Sequence, residues 1–261
     1  MPTKPIPEPS LLSTVGQWWQ AQSARYGFLP TLHHFLAILL EFARESAPGR
    51  RKQRYGDVDY DWDYRVDTTG ATIGWRSRLM GLFHSPYQPT EPALFREMLS
   101  SLEVDFREFT FIDVGSGKGR ALLMASEFPF RRVLGVELLP ELHHIAQENI
   151  KNYRSDSQQC SEIESWCGDA RDFIFLEEPV VFYLFNPLPE SGLLQFVTNL
   201  ESSLRRNPRP IYLLYHNPLL EHLLAHAPTL GKWQATHQFS IYRAVPSEEG
   251  APLSAHRSGV E

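Results

Sequence analysis

The chain has 261 residues, of which 42% are hydrophobic, a length that accommodates one α/β domain with an extension or two small domains; we favour one domain with an N-terminal cap. The formal net charge of −6 argues against a protein whose main task is to bind duplex nucleic acid, because counterion release needs a basic surface, although a local basic groove remains compatible with it. Only Cys160 and Cys167 are present, without a nearby ligand set for zinc and without an opening signal peptide, which predicts a cytoplasmic protein with no metal site.

The N-terminal part of the chain predicts packing helices and no membrane span. The first ten residues and the last fifteen are rich in Pro, Ser, Gly and charge, and we expect them to be disordered. The apolar run Phe28–Phe42 contains His33, His34 and Glu41, and it is shorter than the ~20 apolar residues that a bilayer requires. Its helical spacing predicts one face that packs on the core or on a partner subunit, formed by Leu32, Phe35, Leu36, Leu39 and Leu40. The oligomeric state stays open.

Aspartates alternate with aromatic residues in the segment 54–75. A calcium loop of the EF-hand type is excluded, because Trp62 and Thr68 stand where a glycine and a glutamate are required. Two interpretations stay open. The segment is either an acidic loop whose aromatics pack on the core, or a lid whose aspartates attract a cationic substrate such as a lysine or arginine side chain. The aromatic walls of such a lid would be Tyr60, Trp62, Tyr64 and Trp75.

From Tyr87 onward, strand and helix patterns alternate. Thr90 is the predicted N-cap of the first helix of this region, and Pro92 lies near its first turn. The later elements are predicted, in chain order, as a strand at 109–113, a helix from 120, a strand at 133–137, a helix at 140–153, strands at 163–167 and 180–185, a helix at 192–205, a strand at 211–215 and an apolar alternation at 237–245. This alternation predicts a mostly parallel sheet with helices on both faces.

The stretch Phe109–Arg120, FTFIDVGSGKGR, places an apolar strand directly before a glycine-rich turn. Three glycines at alternate positions predict a sharp strand-to-helix turn with positive φ, where a ligand approaches the backbone without meeting a Cβ. A dinucleotide fingerprint reads Gly-x-Gly-x-x-Gly, whereas this turn reads Asp-x-Gly-x-Gly-x-Gly. Because a carboxylate at Asp113 would repel a phosphate, a cationic or amino-acid-like ligand fits better.

Two further acidic residues stand at the ends of the next strands. Glu137 ends the strand after the glycine turn, and a carboxylate there can accept hydrogen bonds from both hydroxyls of a ribose. The third strand leads into Cys167-Gly168-Asp169-Ala170. In an open parallel sheet the ligand lies at the carboxyl ends of the strands, so all three acidic residues are predicted to meet at one edge.

Residues Asp113 to Gly119 resemble motif I of the class I S-adenosylmethionine-dependent methyltransferases, and roughly Tyr87 to Tyr215 follows the order of elements in that family. The resemblance implies a Rossmann-like, doubly wound, mostly parallel seven-stranded sheet whose final strand is antiparallel. It also implies S-adenosyl-L-methionine as the cofactor, with the acidic side chain of the Gly-Asp-Ala segment near the adenine amino group. The implied cofactor-binding residues are Asp113, Gly115, Ser116, Gly117, Gly119, Glu137, Asp169 and Ala170.

The end of the fourth predicted strand carries Asn186-Pro187-Leu188-Pro189. Asn186 is a candidate catalytic residue, because its amide oxygen can accept a hydrogen bond from a target amine or hydroxyl and so orient it for transfer. The alternative is a turn that ends the strand. The segment resembles the Asn/Asp-Pro-Pro-aromatic motif of amino-directed methyltransferases, but Leu188 and Pro189 replace its second proline and its aromatic. Without that aromatic to stack on a flipped base, a nucleobase acceptor is disfavoured.

The fifth predicted strand ends in Tyr215-His216-Asn217-Pro218, on the same edge of the sheet. His216 is the second candidate catalytic residue, since a histidine that faces the cleft can act as a general base near neutral pH. The alternative interpretation is a structural histidine in a turn at the end of a strand.

These patterns predict an S-adenosylmethionine-dependent methyltransferase with an unidentified acceptor, for which an amine is favoured. The glycine turn and its flanking loops are also similar to a mitochondrial and prokaryotic lineage of protein-lysine methyltransferases, which implies a protein amine. A nicotinamide-dependent oxidoreductase, which Asp113 and the glycine spacing disfavour, and a non-catalytic cofactor-binding scaffold stay open as alternatives. The predicted division is an N-terminal helical and acidic-aromatic cap at 1–86, a methyltransferase core at 87–246 and a disordered tail at 247–261.

Overall fold

The computed structural model describes residues 11–45, 58–69 and 88–244. Both predicted disordered tails lie outside the described residues, as do the predicted lid residue Trp75 and the loop residue Tyr87. The candidate site residues all lie within the third of these ranges.

The described part of residues 88–244 is built around one sheet of seven strands in the order β3-β2-β1-β4-β5-β7-β6. The strands are β1 Thr110–Val114, β2 Arg132–Glu137, β3 Ile163–Cys167, β4 Val180–Leu184, β5 Ile211–His216, β6 Leu230–Ala235 and β7 Phe239–Ala244. Strands β1 to β5 pair in parallel, and β7 is antiparallel to both β5 and β6. This confirms the predicted Rossmann-like fold class, including its antiparallel final strand.

Helices alternate with these strands, as the sequence pattern predicts. In chain order the helices are α1 Leu11–Tyr26, α2 Phe28–Glu45, α3 Val58–Tyr64, α4 Pro92–Ser100, α5 Arg120–Ala125, α6 Pro140–Asn152 and α7 Glu190–Arg206, with short 3₁₀ helices at Phe106–Glu108, Ala170–Asp172 and Glu221–His226. Parallel neighbours need such crossovers, because the chain must return to the same end of the sheet before the next strand begins.

The two faces of the sheet bury two separate apolar clusters. Phe111 and Tyr183 point to the face that α4 and α5 cover, whereas Ile112 and Phe182 point to the face that α7 covers. Every residue of β1 and β4 is buried. Such burial on both faces explains why these central strands are continuous apolar runs and do not alternate with polar residues.

Helices α1 and α2 pack against each other through aromatic side chains. Trp18 contacts His34 edge to face at 5.4 Å, and Trp19 contacts Phe35 at 5.8 Å between ring centroids. The predicted helix over Phe28–Phe42 is confirmed, but the described residues cover only part of its apolar face: Leu36, Leu39 and Leu40 are exposed. None of the helices in the described ranges has both the length and the apolar character needed to cross a membrane.

Candidate functional site

The glycine turn follows β1 with the backbone geometry that its sequence predicts. Gly115, Gly117 and Gly119 have φ values of 76°, 55° and 85°, a region that residues with a Cβ rarely adopt. A Cβ on Gly115 would lie 2.5 Å from the Cβ of Pro187, so the turn also packs too closely on the end of β4 for any side chain. The turn is anchored to β2, because the N–H groups of Gly115 and Ser116 both donate to the carbonyl of Val136, at 2.8 and 3.0 Å.

A glycine that the sequence analysis missed supports this turn from β2. A Cβ on Gly135 would lie 2.6 Å from Ser116 Oγ, so only glycine leaves room for the Ser116 side chain. The available signal was a glycine in the interior of a predicted strand, which often marks a close approach. The Ser116 hydroxyl is buried, and no described residue forms a hydrogen bond with it.

Glu137 lies under the glycine turn and holds it by backbone hydrogen bonds. Its carboxylate is buried, with Oε2 accepting the Gly117 N–H at 2.8 Å and Oε1 accepting the Leu139 N–H at 2.8 Å. Burial raises the pKa of Glu137, and these N–H donors oppose that rise. A carboxylate has about four acceptor sites, so the predicted contact with ribose hydroxyls is compatible with this position.

Asp113, near the end of β1, is a second buried carboxylate with a different environment. The residue is 4% exposed, and no hydrogen bond joins its carboxyl group to any described residue. Burial, and secondly the charge of Glu137, hold its pKa well above the usual range of an aspartate. A buried carboxyl group in this situation is either protonated or compensated by a cation that the described residues do not supply.

Asp169 and Ala170 follow β3, where the resemblance places the adenine end of a ligand. The Asp169 carboxylate accepts the backbone N–H of Arg171 at 2.8 Å, and the Arg171 guanidinium lies against both of its oxygens. Ala170 is buried. Asp169 is thus at the predicted edge of the sheet, but it would have to share its oxygens between Arg171 and a ligand amino group.

The ends of β4 and β5 are joined through two asparagines that both precede proline. Asn186 and Asn217 have φ values of 46° and 47°, a left-handed conformation that costs non-glycine residues energy and that recurs at functional sites. The Asn186 Nδ2 donates to the carbonyl of Asn217 at 2.7 Å, and its Oδ1 accepts the Tyr215 hydroxyl at 3.0 Å. The amide oxygen that the sequence analysis assigned to an acceptor therefore has one lone pair left for it.

His216 is buried in a chain of hydrogen bonds beside these asparagines. Its Nδ1 lies 2.8 Å from the Tyr183 hydroxyl, which lies 2.9 Å from the Thr90 hydroxyl, and its ring stacks on Phe185 at 3.9 Å. Burial lowers the pKa of His216 to about 4, so the ring is neutral and weakly basic near neutral pH. The prediction of Thr90 as an N-cap is wrong: Glu91 occupies that position of α4, and Thr90 turns inward to Tyr183.

The acidic segment, residues 58–69, packs against the side chains of Lys118 and Arg120 in the glycine turn. Tyr60 is buried beneath the Arg120 guanidinium, which is 4.4 Å from its ring centroid, and Tyr64 packs on Tyr153 at 5.4 Å. Asp61 accepts the backbone N–H groups of residues 68 and 69 at 2.8 and 2.9 Å. Core packing therefore describes Tyr60 and Tyr64, whereas Trp62 is 85% exposed and is the predicted lid residue, among those that the structure describes, for which the lid hypothesis stays open.

Comparison with known proteins adds fold neighbours only. No family profile matches the chain, and no curated protein is similar to it in sequence. One solved structure of similar fold is an RNA methyltransferase from Salinibacter ruber in complex with S-adenosyl-L-homocysteine, at 22% identity and a TM-score of 0.41, over 62% of this chain and 95% of that one. A second is a ribosomal protein L11 methylase from Lactobacillus delbrueckii, at 17% identity and a TM-score of 0.40, over 59% of this chain and 75% of that one.

A third neighbour, N,N-8-amino-8-demethyl-D-riboflavin dimethyltransferase from Streptomyces davawensis, spans 91% of this chain and 70% of its own, at 15% identity and a TM-score of 0.47. The names of these three proteins give three different kinds of methyl acceptor. At such identities and TM-scores the likeness carries no argument about activity or substrate. The fold assignment rests on the strand order, and the function has to be argued from the site.

Proposed function

We propose that the protein is an S-adenosyl-L-methionine-dependent methyltransferase that binds its cofactor at the carboxyl ends of β1, β2 and β3. The observation that carries the proposal is the glycine turn with two buried carboxylates, Asp113 and Glu137, beside it. The turn lies where the strand order reverses, between β1 and β4, which is where open α/β sheets bind their ligands.

The residues of the site fit this cofactor. Its amino-acid end carries an ammonium group, which is the cation that the buried and uncompensated Asp113 needs. The buried Ser116 hydroxyl, without a partner among the described residues, offers a further polar contact. A nicotinamide dinucleotide would instead bring a pyrophosphate toward the charge of Asp113, which disfavours the oxidoreductase alternative.

The remaining cofactor contacts follow from position along the same edge. Glu137 ends β2, and we assign the remaining acceptor capacity of its carboxylate to the ribose hydroxyls. Asp169 and Ala170 follow β3 and would flank the adenine, with the Asp169 carboxylate shared with Arg171. We assign these roles together with Gly115, Gly117 and Gly119, whose positive φ values set the conformation of the turn.

When bound, the cofactor supplies an electrophilic methyl group on a sulfonium, and the chain's own residues position the acceptor. Asn186 ends β4 beside the glycine turn, and we assign its remaining lone pair to an acceptor N–H, which aligns the amine by proximity. An amine is the acceptor class that this arrangement favours, and a protein lysine is the first member to test. We assign His216 to holding Tyr183, because a ring with a pKa of about 4 is too weak a base to take a proton efficiently near neutral pH.

Calorimetric titration with S-adenosylmethionine and S-adenosylhomocysteine, with NADH as the control, tests this function. Saturable binding of the two sulfur ligands alone is the expected result, and a screen of lysine peptides and small amines would follow. Binding of NADH would support the oxidoreductase, and cofactor binding without turnover across a broad acceptor panel would support the scaffold.

Three finer expectations stay predictions. These are the domain division at 1–86, 87–246 and 247–261, the cytoplasmic location and the disfavoured nucleic-acid acceptor. The prediction of the location rests on the cysteine content of the chain. The prediction about the acceptor rests on the net charge and on the absence of an aromatic residue after Asn186-Pro187.

A further inference from the structure

The glycine turn contains two cations whose side chains are buried in the protein. The side chains of Lys118 and Arg120, on either side of Gly119, are 0% and 2% exposed. Buried cations need partners, because the loss of solvation is not recovered without ion pairs and hydrogen bonds. Among the described residues, the acidic segment, residues 58–69, supplies partners to both side chains.

Each cation has its own set of contacts in that segment. Lys118 Nζ lies 2.7 Å from Asp67 Oδ1 and 2.7 Å from the carbonyl oxygen of Thr69. Arg120 Nε donates to Thr68 Oγ1 at 2.7 Å, and its Nη2 lies 3.3 Å from Asp61 Oδ1. The acidic segment therefore supplies carboxylates and neutral acceptors to both sides of one glycine.

Asn149 of α6 ties the segment and the turn together a third time. Its Oδ1 accepts the Asp67 N–H at 2.7 Å, and its Nδ2 donates to the Asp67 carbonyl at 2.7 Å and to the Lys118 carbonyl at 2.9 Å. Asn149 is buried, so these three bonds are protected from competition by water.

We infer that residues 58–69 are a positioning part of the cofactor site, and that Asp61 and Asp67 are positioning residues that hold the glycine turn in its ligand-binding conformation. The inference rests on the proposed function for the identity of the ligand. The docked segment compensates the charges of Lys118 and Arg120, so these two side chains stay buried and fix the path of the turn between them. Undocking would remove the Asp67 and Asp61 carboxylates from two buried cations, and we expect the turn to rearrange in response.

The test compares the affinity for S-adenosylhomocysteine of the full chain and of three charge-neutralising variants, measured by calorimetry. Asp61→Asn and Asp67→Asn are expected to weaken binding about tenfold or more. Asp63→Asn makes the same chemical change on the same helix at an exposed position, and we expect it to stay within about twofold of the wild type. Wild-type affinity in both Asp61→Asn and Asp67→Asn would overturn the inference.

A double variant separates positioning from stability. Asp67→Asn with Lys118→Met contains no uncompensated buried cation, so its melting temperature should recover relative to Asp67→Asn alone. Its affinity should remain reduced about tenfold, because the direct link between residue 67 and the side chain of residue 118 is still missing. Full recovery of affinity would mean that Asp67 only neutralises a charge, which contradicts a positioning role.

Hydrogen exchange of the ligand-free protein keeps the two proposals distinguishable. Faster exchange of the amides of 115–120 in Asp61→Asn and Asp67→Asn, but not in Asp63→Asn, would support the coupling even if the wild type binds no sulfur ligand. Unchanged exchange of these amides would overturn it. A wild type that binds no ligand but shows the coupling would contradict the proposed function alone.

Discussion

The carboxyl ends of β1 and β2 differ from those of β4 and β5 in what their polar groups contact. At the first region Asp113 and Ser116 are buried without a partner among the described residues. At the second, Asn186 and His216 are engaged by Asn217, Tyr215 and Tyr183. Unsatisfied buried groups cost folding energy and are retained where a ligand satisfies them, whereas bonded groups stabilise the fold itself. The first region is thus suited to bind, and the second to form a stable wall beside the bound ligand.

The largest expected effect concerns Asp113, whose replacement should separate ligand affinity from stability. Asp113→Asn removes the charge that the ligand ammonium would pair with, and we expect about 100-fold weaker binding of S-adenosylhomocysteine, or ~3 kcal/mol. Calorimetry measures this loss. Asp156→Asn, the same change at an exposed position, should leave the affinity unchanged.

The same variant should not lose stability. The pKa of Asp113 is raised in the folded protein, so its contribution to stability is present below the ordinary aspartate pKa and is lost as the pH rises through the folded value. At neutral pH the buried aspartate destabilises the fold relative to a neutral side chain, and the asparagine removes this cost. The ligand-free variant should therefore melt at or above the wild-type temperature. Normal binding by Asp113→Asn, or a much lower melting temperature, would mean that Asp113 stabilises the fold, as the bonded groups at the ends of β4 and β5 do.

The second prediction concerns His216 and the pH dependence of stability. Its pKa is about 4 in the folded protein and about 6.5 in the unfolded chain. Above pH 6.5 the imidazole is neutral in both states, so it does not change the free energy of unfolding. As the pH falls from 6.5 toward 4 the unfolded chain takes up a proton that the folded chain does not, and up to about 3 kcal/mol is lost. Urea unfolding across this range should show the loss in the wild type.

His216→Asn supplies the comparison for that experiment, because its amide can still bond the Tyr183 hydroxyl and does not titrate. The variant loses ring packing on Phe185 and should be less stable at every pH, so the slope with pH is the informative quantity. Parallel pH profiles for the wild type and the variant would mean that His216 is not buried as described. Asp113 and Glu137 titrate in both proteins and cancel in the difference.

The sequence predicted the fold and the ligand edge because both depend on local patterns. Apolar runs identify β1 and β4, and alternate glycines identify the turn, since backbone conformation depends on neighbours in the chain. The pairing of Lys118 with Asp67 was not predicted, because 51 residues separate them and no pattern links a cation to its distant partner. Thr90 was misread for a related reason: a threonine before a helix predicts a cap, and only the sheet brings Tyr183 within its reach.

The smallest expected effect distinguishes the two asparagines of the wall by one matched substitution. Asn217→Gly relieves a left-handed residue, and none of the hydrogen bonds described above involves its side chain, so it should be neutral or stabilising by about 0.5–1 kcal/mol. Asn186→Gly relieves a similar φ but loses the bonds to Asn217 and Tyr215, for a net loss of about 1 kcal/mol. Denaturant unfolding measures both, and neither should change the affinity for S-adenosylhomocysteine by more than about twofold. If the two variants are equally stable, the asparagine bonds do not hold the wall, and Asn186 would be free to turn both polar atoms toward an acceptor.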